Sequence, residues 1–357
     1  MKSLALDAGA VPDAVTARDI LRTHSQRFSV TRLLLIVLVV YVHFPLMVPE
    51  MRDLAAWSAL TPAYIANQTV LRFSVTILTI MSGYIMFATG ADMSPIETIR
   101  KKVKTLVIPF LCWNLPLALA MFAAQSMDLM SGQRLDLASA DLATWADALF
   151  ALTTRPVNYP LYFLRDLFVI AVIAVVISGI ARRYIVPVIA VCLLVSEYNL
   201  DGYLILRTPM LTAFFIGAAI AIWRVELDRL DKGFALFAAL LVITCVVHYY
   251  TPSDHTGLLI TILGGLTVWT GVAQLQRFSW FSGLGNLAKY SFPIYLIHGI
   301  VLFGVLALGF AIPPTGLGLV LWLTLPFAIA VASGLAFYVF KRIMPGFASF
   351  VTGGRAA

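Results

Sequence analysis

The residues best suited to chemistry in this sequence lie inside its most apolar stretches. The run "TRLLLIVLVVYVHFP", Thr31 to Pro45, keeps a guanidinium at Arg32 and an imidazole at His43. Eleven helical steps make about three turns, so both side chains share one face, roughly 16 Å apart. A second run, "TVLRFSVTILTIMSGYIMF", puts Arg72, Thr76, Thr79 and Gly83 on one face. A third, "KYSFPIYLIHGIVLF", does the same with Ser291, Tyr295 and His298. "NYPLYFLRDLFVI" carries Arg165 and Asp166 side by side, and adjacent helical positions diverge by about 100°, which directs the two toward different partners.

Charges at membrane depth cost several kcal/mol and usually face a bundle interior or an aqueous cavity. Together these faces supply histidine, arginine, hydroxyl and tyrosine, the components of a buried polar cavity. Plainer roles exist for single residues: snorkelling for Arg32, a hydrogen-bonded structural imidazole for His43, close helix approach for Ser82 and Gly83. In "TIRKKVKTLVIPF", Arg100, Lys101, Lys102 and Lys104 read either as a topology signal contacting anionic lipid or as a phosphate clamp.

The elements that position these groups follow from composition. The chain has 357 residues, 61% hydrophobic and 12% charged, against about 45–50% and about 25% in soluble domains. Runs near the ~20 residues that cross a bilayer recur throughout. The expected fold is all-α, a polytopic bundle of about ten spans, at 31–48, 69–89, 105–125, 160–181, 184–197, 208–223, 234–250, 257–273, 290–311 and 317–340. With both termini inside, nineteen of the 25 lysines and arginines fall on the cytoplasmic side. Only Arg52, Arg134, Arg155 and Arg207 fall outside, a strong positive-inside bias that accounts for the net charge of +7 without nucleic acid. Residues 1–28 read as a cytoplasmic tail, 29–342 as one transmembrane domain and 343–357 as a second tail. The segment "LASADLATWADALFAL" suits an amphipathic helix on the outer surface. Cys112, Cys192 and Cys245 fall within spans as buried thiols, at no metal-ligand spacing. No carboxylate chain of the kind proton-driven carriers need, no glycine-rich phosphate loop and no metal site is expected.

These residues together resemble the bacterial integral-membrane acyltransferase-three family, which O-acylates envelope carbohydrates. Arg32 and His43 match its Arg, ten residues, His pattern. "MSGYIM" matches its Ser-Gly-aromatic pattern at Ser82, Gly83 and Tyr84, and "RKKVKTLVIPF" its basic run before a proline. "LYFL" and "YSFPIYLIH" match its fourth- and ninth-span patterns, so five motifs occur in order over about 30–340. Ser29 stands where many members carry an acid.

The resemblance implies acyl-CoA, acetyl-CoA foremost, as a cytosolic donor, no metal, and an envelope glycan or glycolipid hydroxyl as acceptor, in the inner (plasma) membrane. It implies His43 as general base, Arg32 as a donor-binding cation and Ser82 as an oxyanion contact. Arg100, Lys101 and Lys104 would hold nucleotide phosphates, with Gly83 and Tyr84 along the donor's path. Arg72, Arg165, Asp166, Tyr295 and His298 would form the acceptor-side wall. The rival reading is a transporter or flippase for a lipid-linked or small polar substrate, which the same polar cavity would suit.

Overall fold

The computed structural model describes residues 24–44, 61–128, 135–307, 312–313 and 315–355. Most of the 1–28 tail, the far ends of the first and ninth expected spans, Arg52 and Arg134 lie outside the described residues. The helices are α1 Ser25–His43, α2 Thr61–Gln68, α3 Phe73–Ala88, α4 Pro95–Lys102, α5 Ile108–Ser126, α6 Leu142–Phe150, α7 Tyr162–Val176 and α8 Ser178–Arg183. They continue as α9 Ile185–Glu197, α10 Pro209–Ile222, α11 Phe234–Tyr250, α12 Asp254–Leu275, α13 Phe281–Leu287, α14 Ser291–Ala307, α15 Gly316–Ile343 and α16 Pro345–Val351.

The chain is a polytopic helical bundle. Eight stretches among the described residues are long and apolar enough to cross a membrane, and α9 and α10 are shorter apolar helices. Every expected span coincides with one of these. The fifth and sixth are the short ones, because Tyr184 to Pro187 and Thr208–Pro209 delimit them.

Helix α1 runs through the middle, packed by α3, α14 and α15. Its residues Val30, Leu35, Val39 and Val40 are fully buried, as expected of a helix apolar nearly all round. In contrast, α11 and α15 turn Leu236, Val242, Ile243, Leu323, Phe327 and Leu335 outward. Such exposed apolar faces fit a hydrocarbon surrounding, where helices satisfy their own backbone.

The most extensive helix pair is α3 with α10. A Cβ on Gly83 would overlap the Phe214 carbonyl, and one on Gly217 would overlap the Ile80 carbonyl. Two glycines thus let the backbones touch reciprocally, the small-residue approach by which membrane helices associate without a hydrophobic drive. Gly83 therefore has its face closed by Phe214, in keeping with the close helix approach also read from its motif.

Helix α6 begins at Asp141, whose carboxylate accepts from the Thr144 amide at 2.8 Å. It keeps Leu142 and Phe150 exposed, as an amphipathic surface helix would. Asn114 of α5 holds it. The Asn114 amide donates to the Ala148 and Leu149 carbonyls at 2.9 and 2.8 Å. Its oxygen accepts from the Asn158 amide at 2.8 Å, so one buried side chain positions the loop that reaches Tyr159.

Replacing Gly217 by valine should overpack the α3–α10 crossing and cost roughly 1–3 kcal/mol. Thermal unfolding in detergent should show a lowered midpoint, whereas valine at Gly179, where a Cβ meets open space, should not move it.

Candidate active site

A cavity of about 590 Å³ lies between α1, α3, α4, α7 and α14. Its charged lining is Arg32, Lys101, Lys102 and Arg355, with no carboxylate among the lining residues. Among the described residues none of these four cations has an ion-pair partner. Burial and the neighbouring Arg32 guanidinium pull Arg355 down to about 10.

Local sequence explains why the cations gather. Helix α4 starts at Pro95, whose fixed φ suits a first helical position, and ends on Arg100, Lys101 and Lys102, where the helix dipole favours cations. A π-helical stretch, Val103–Val107, then joins it to α5. The turn before α4 is locked by Asp92, fully buried. Its two oxygens accept from Arg182 at 2.7 Å each, and one also accepts from Ser178 at 2.6 Å. Lys101 and Lys102 consequently face the cavity. Arg100 is exposed and outside its lining, and Lys104 stands at the rim beside Gly354.

The inner end of the cavity is Tyr295, whose hydroxyl donates to the Pro160 carbonyl. Beyond it the rings follow one another. Tyr295 lies 5.8 Å from His298, His298 5.5 Å from His43, and His43 5.3 Å from Tyr159, centroid to centroid. Tyr159 is 5.6 Å from Tyr162, whose hydroxyl accepts from Arg207 at 3.1 Å, and Arg155 sits 4.8 Å over the Tyr159 ring. A continuous line of polar rings thus leads from the basic cavity to arginines at the opposite end.

The two histidines are held in the same tautomer. His43 Nδ1 lies 2.8 Å from the Val39 carbonyl and His298 Nδ1 2.7 Å from the Tyr295 carbonyl. A carbonyl only accepts, so each Nδ1 carries a hydrogen, and in the neutral ring each Nε2 keeps a lone pair. His298 Nε2 is buried without a partner. His43 Nε2 has none among the described residues, and the His43 ring is only half-buried.

Three further placements depart from the sequence reading. Ser82 lines the cavity, but its hydroxyl donates to the Leu78 carbonyl at 2.8 Å, so its hydrogen is already engaged within the helix. Tyr84 stacks on Phe28 at 5.3 Å and faces a second, mostly apolar cavity of about 970 Å³ together with Arg72 and Arg207. Tyr84 therefore does not line the basic cavity, and Arg72, expected on the acceptor side, lines this second cavity with Arg207. Arg165 and Asp166 do not diverge to separate elements. They pair with each other at 3.0 Å and together grip the 203–207 segment. Asp166, fully buried, accepts from the Leu206 and Arg207 amides at 3.1 and 2.9 Å, so it positions Arg207. Arg355, Tyr159, Tyr162 and Arg207 join the site without having been singled out, and Lys102 of the basic run lines it where Arg100 does not. Tyr159 and Tyr162 could have been read from their i, i+3 spacing in "NYPLYFL".

A helical membrane bundle with a basic cavity and paired histidines defines the class of protein, and comparison with known proteins specifies it. A family model described as an acyltransferase domain matches residues 26–338, and the chain belongs to that family, acyltransferase-three. It is similar to the succinoglycan biosynthesis protein ExoH of Rhizobium meliloti (strain 1021). The two are 28% identical over 355 residues, covering 93% of this chain and 92% of the relative. No solved structure matches the chain.

Removing one partner of a buried charge pair typically costs roughly 3–5 kcal/mol. Asp166→Ala should therefore lower the unfolding midpoint sharply and speed proteolysis within 198–208. Arg155→Ala, on an exposed side chain, should leave both unchanged.

Proposed function

We propose that this protein transfers an acyl group, acetyl foremost, from acyl-CoA at the basic end of the bundle to a hydroxyl of an envelope polysaccharide or glycolipid at the other end. The observation that carries this reading is the free Nε2 lone pair of His43, at the junction between the basic cavity and the aromatic, arginine-bearing end. Membership of an acyltransferase family and similarity to the succinoglycan biosynthesis protein ExoH support the class of reaction and of acceptor. The excess of lysine and arginine at the ends holding α4 and α15 supports a cytosolic basic end and a location in the inner membrane.

The donor fits this cavity by charge. Phosphates are held by charge-assisted hydrogen bonds, and guanidinium groups match them in bidentate fashion. Arg32, Lys101 and Lys102 offer such bonds without first having to break an ion pair. Beyond them the lining turns apolar at Leu78, Leu164 and Leu167 and ends on Tyr295, a suitable path for an acyl-pantetheine arm.

A neutral hydroxyl is a weak nucleophile until a base removes its proton. His43 Nε2 accepts that proton while the hydroxyl oxygen attacks the thioester carbonyl. The C–S bond then breaks, and the coenzyme A thiolate takes the proton back from the imidazolium, leaving an ester and free thiol. Such a base contributes roughly 10²–10⁴ in rate. His298 packs against the His43 ring with its own lone pair unpartnered, and among the described residues no carboxylate pairs with either ring.

Mass spectrometry of envelope glycans tests the proposal in wild-type cells, a deletion strain and a His43→Ala strain with matched protein levels. One acyl mass should vanish from one glycan fraction in both mutants, the alanine variant losing at least about 10²-fold. A deletion that alters glycan amount or location while every ester survives would instead favour transport. Ester loss in the deletion strain alone would take the base role from His43.

A further inference from the structure

The last described residues form a built part of the basic cavity. Helix α16, Pro345–Val351, ends in paired reverse bonds: the Gly353 amide donates to the Phe350 carbonyl at 3.0 Å and the Gly354 amide to the Ser349 carbonyl at 2.8 Å. This is the two-bond termination that requires a left-handed residue after the helix. Gly353 and Gly354 supply it, with φ of 65° and 82°. Only glycine accepts these angles without strain.

The reversal is anchored on α5 and on the π-helical stretch that joins it to α4. Trp113 Nε1 donates to the Val351 carbonyl at 3.1 Å, and Thr352, fully buried, donates to the Ala348 carbonyl at 2.7 Å. A Cβ on Gly353 would overlap the Lys104 carbonyl in the π-helical stretch. So the chain lies flat against α5's approach and is steered back toward the cavity. Its next residue, Arg355, lines that cavity together with Lys101 and Lys102, its guanidinium carbon 3.9 Å from the Phe292 ring centroid.

Two arginines that face one wall without a carboxylate between them repel. Arg32 depresses the Arg355 pKa, as described above. An arrangement that holds like charges together by backbone and aromatic anchors is the usual character of a site for a polyanion, whose arrival removes the repulsion. The family match ends at 338, so this strap is a feature of the chain outside the matched region.

We propose that the 345–355 segment is the outer wall of the donor site and that Arg355, beside Arg32, binds a phosphate of the acyl-CoA nucleotide. The proposal rests on the donor reading above and adds a residue and a segment to it. The glycine pair aims the arginine, the Phe292 ring steadies it, and Lys101 and Lys102 complete a cradle around one polyanion.

The test is equilibrium binding of acetyl-CoA to the purified full chain in detergent, against Arg355→Ala, Arg355→Lys and a chain ended at Thr352. Dephospho-CoA and phosphatidylglycerol micelles serve as competing probes. Loss of one charge-assisted contact should weaken acetyl-CoA binding about tenfold in Arg355→Ala and in the shortened chain. Lysine should recover most of it, salt dependence should become shallower, and unfolding midpoints of the point variants should stay put. Wild-type binding with undiminished binding by Arg355→Ala and the shortened chain would overturn the assignment while leaving the donor reading intact. Displacement of acetyl-CoA by phosphatidylglycerol but not by dephospho-CoA would mark a lipid-headgroup site and overturn it as well. If wild-type protein binds no acetyl-CoA, the donor reading falls and this assignment falls with it.

Discussion

A polar group taken out of water must find a partner, and the cost of failing is highest for a charge in hydrocarbon. This bundle sorts its charges by that constraint. Asp92 and Asp166, both fully buried, are saturated by arginine, hydroxyl and backbone donors. Arg27, also buried, is taken up by the Trp269 carbonyl and by Asp231, over the Trp269 ring. These are tie-points that fix turns and helix ends. Around one cavity they leave Arg32, Lys101, Lys102 and Arg355 without carboxylate partners among the described residues, as they do other cations elsewhere, and two histidine lone pairs lie beyond it.

That sorting gives the molecule a direction. Cations gather at one end, where α4 finishes and the strap after α15 returns. Aromatic rings and arginines occupy the other, on the loop that Asn114 holds and the segment that Asp166 holds. His43 and His298 stand between. The three turns separating Arg32 from His43 on α1 set the distance over which an acyl-bearing arm has to reach. The same helix therefore fixes both ends of the proposed transfer, and the burial of Val30, Leu35, Val39 and Val40 holds it in the bundle between them.

Much of this was legible in the sequence because helical periodicity is local. The spans, the Arg32–His43 face and the Ser291, Tyr295, His298 face all follow from residue spacing, and each lies on a helix as expected. What was not legible depends on which neighbour fills a face. Gly83 and Tyr84 share a motif with Ser82, yet α10 closes over one and Phe28 stacks on the other, so only Ser82 reaches the basic cavity. Asp166 and Arg165 diverge along their helix but meet because both grip one loop, a tertiary fact with no local signature. Lys102 and not Arg100 faces inward because Asp92 and Arg182 set the roll of α4, from 90 residues apart. Arg355 could not be assigned from sequence, since only the left-handed glycine pair returns it to the cavity.

The central claim is transfer between opposite faces of one bundle, and sidedness tests it most directly. Wild-type protein would be reconstituted in vesicles of known orientation, with labelled acetyl-CoA confined to the basic side and an acceptor glycan confined to the other. The account predicts labelled ester on the glycan and free coenzyme A on the donor side. Ester formed only when donor and acceptor share a compartment, or none formed in any arrangement, would contradict it.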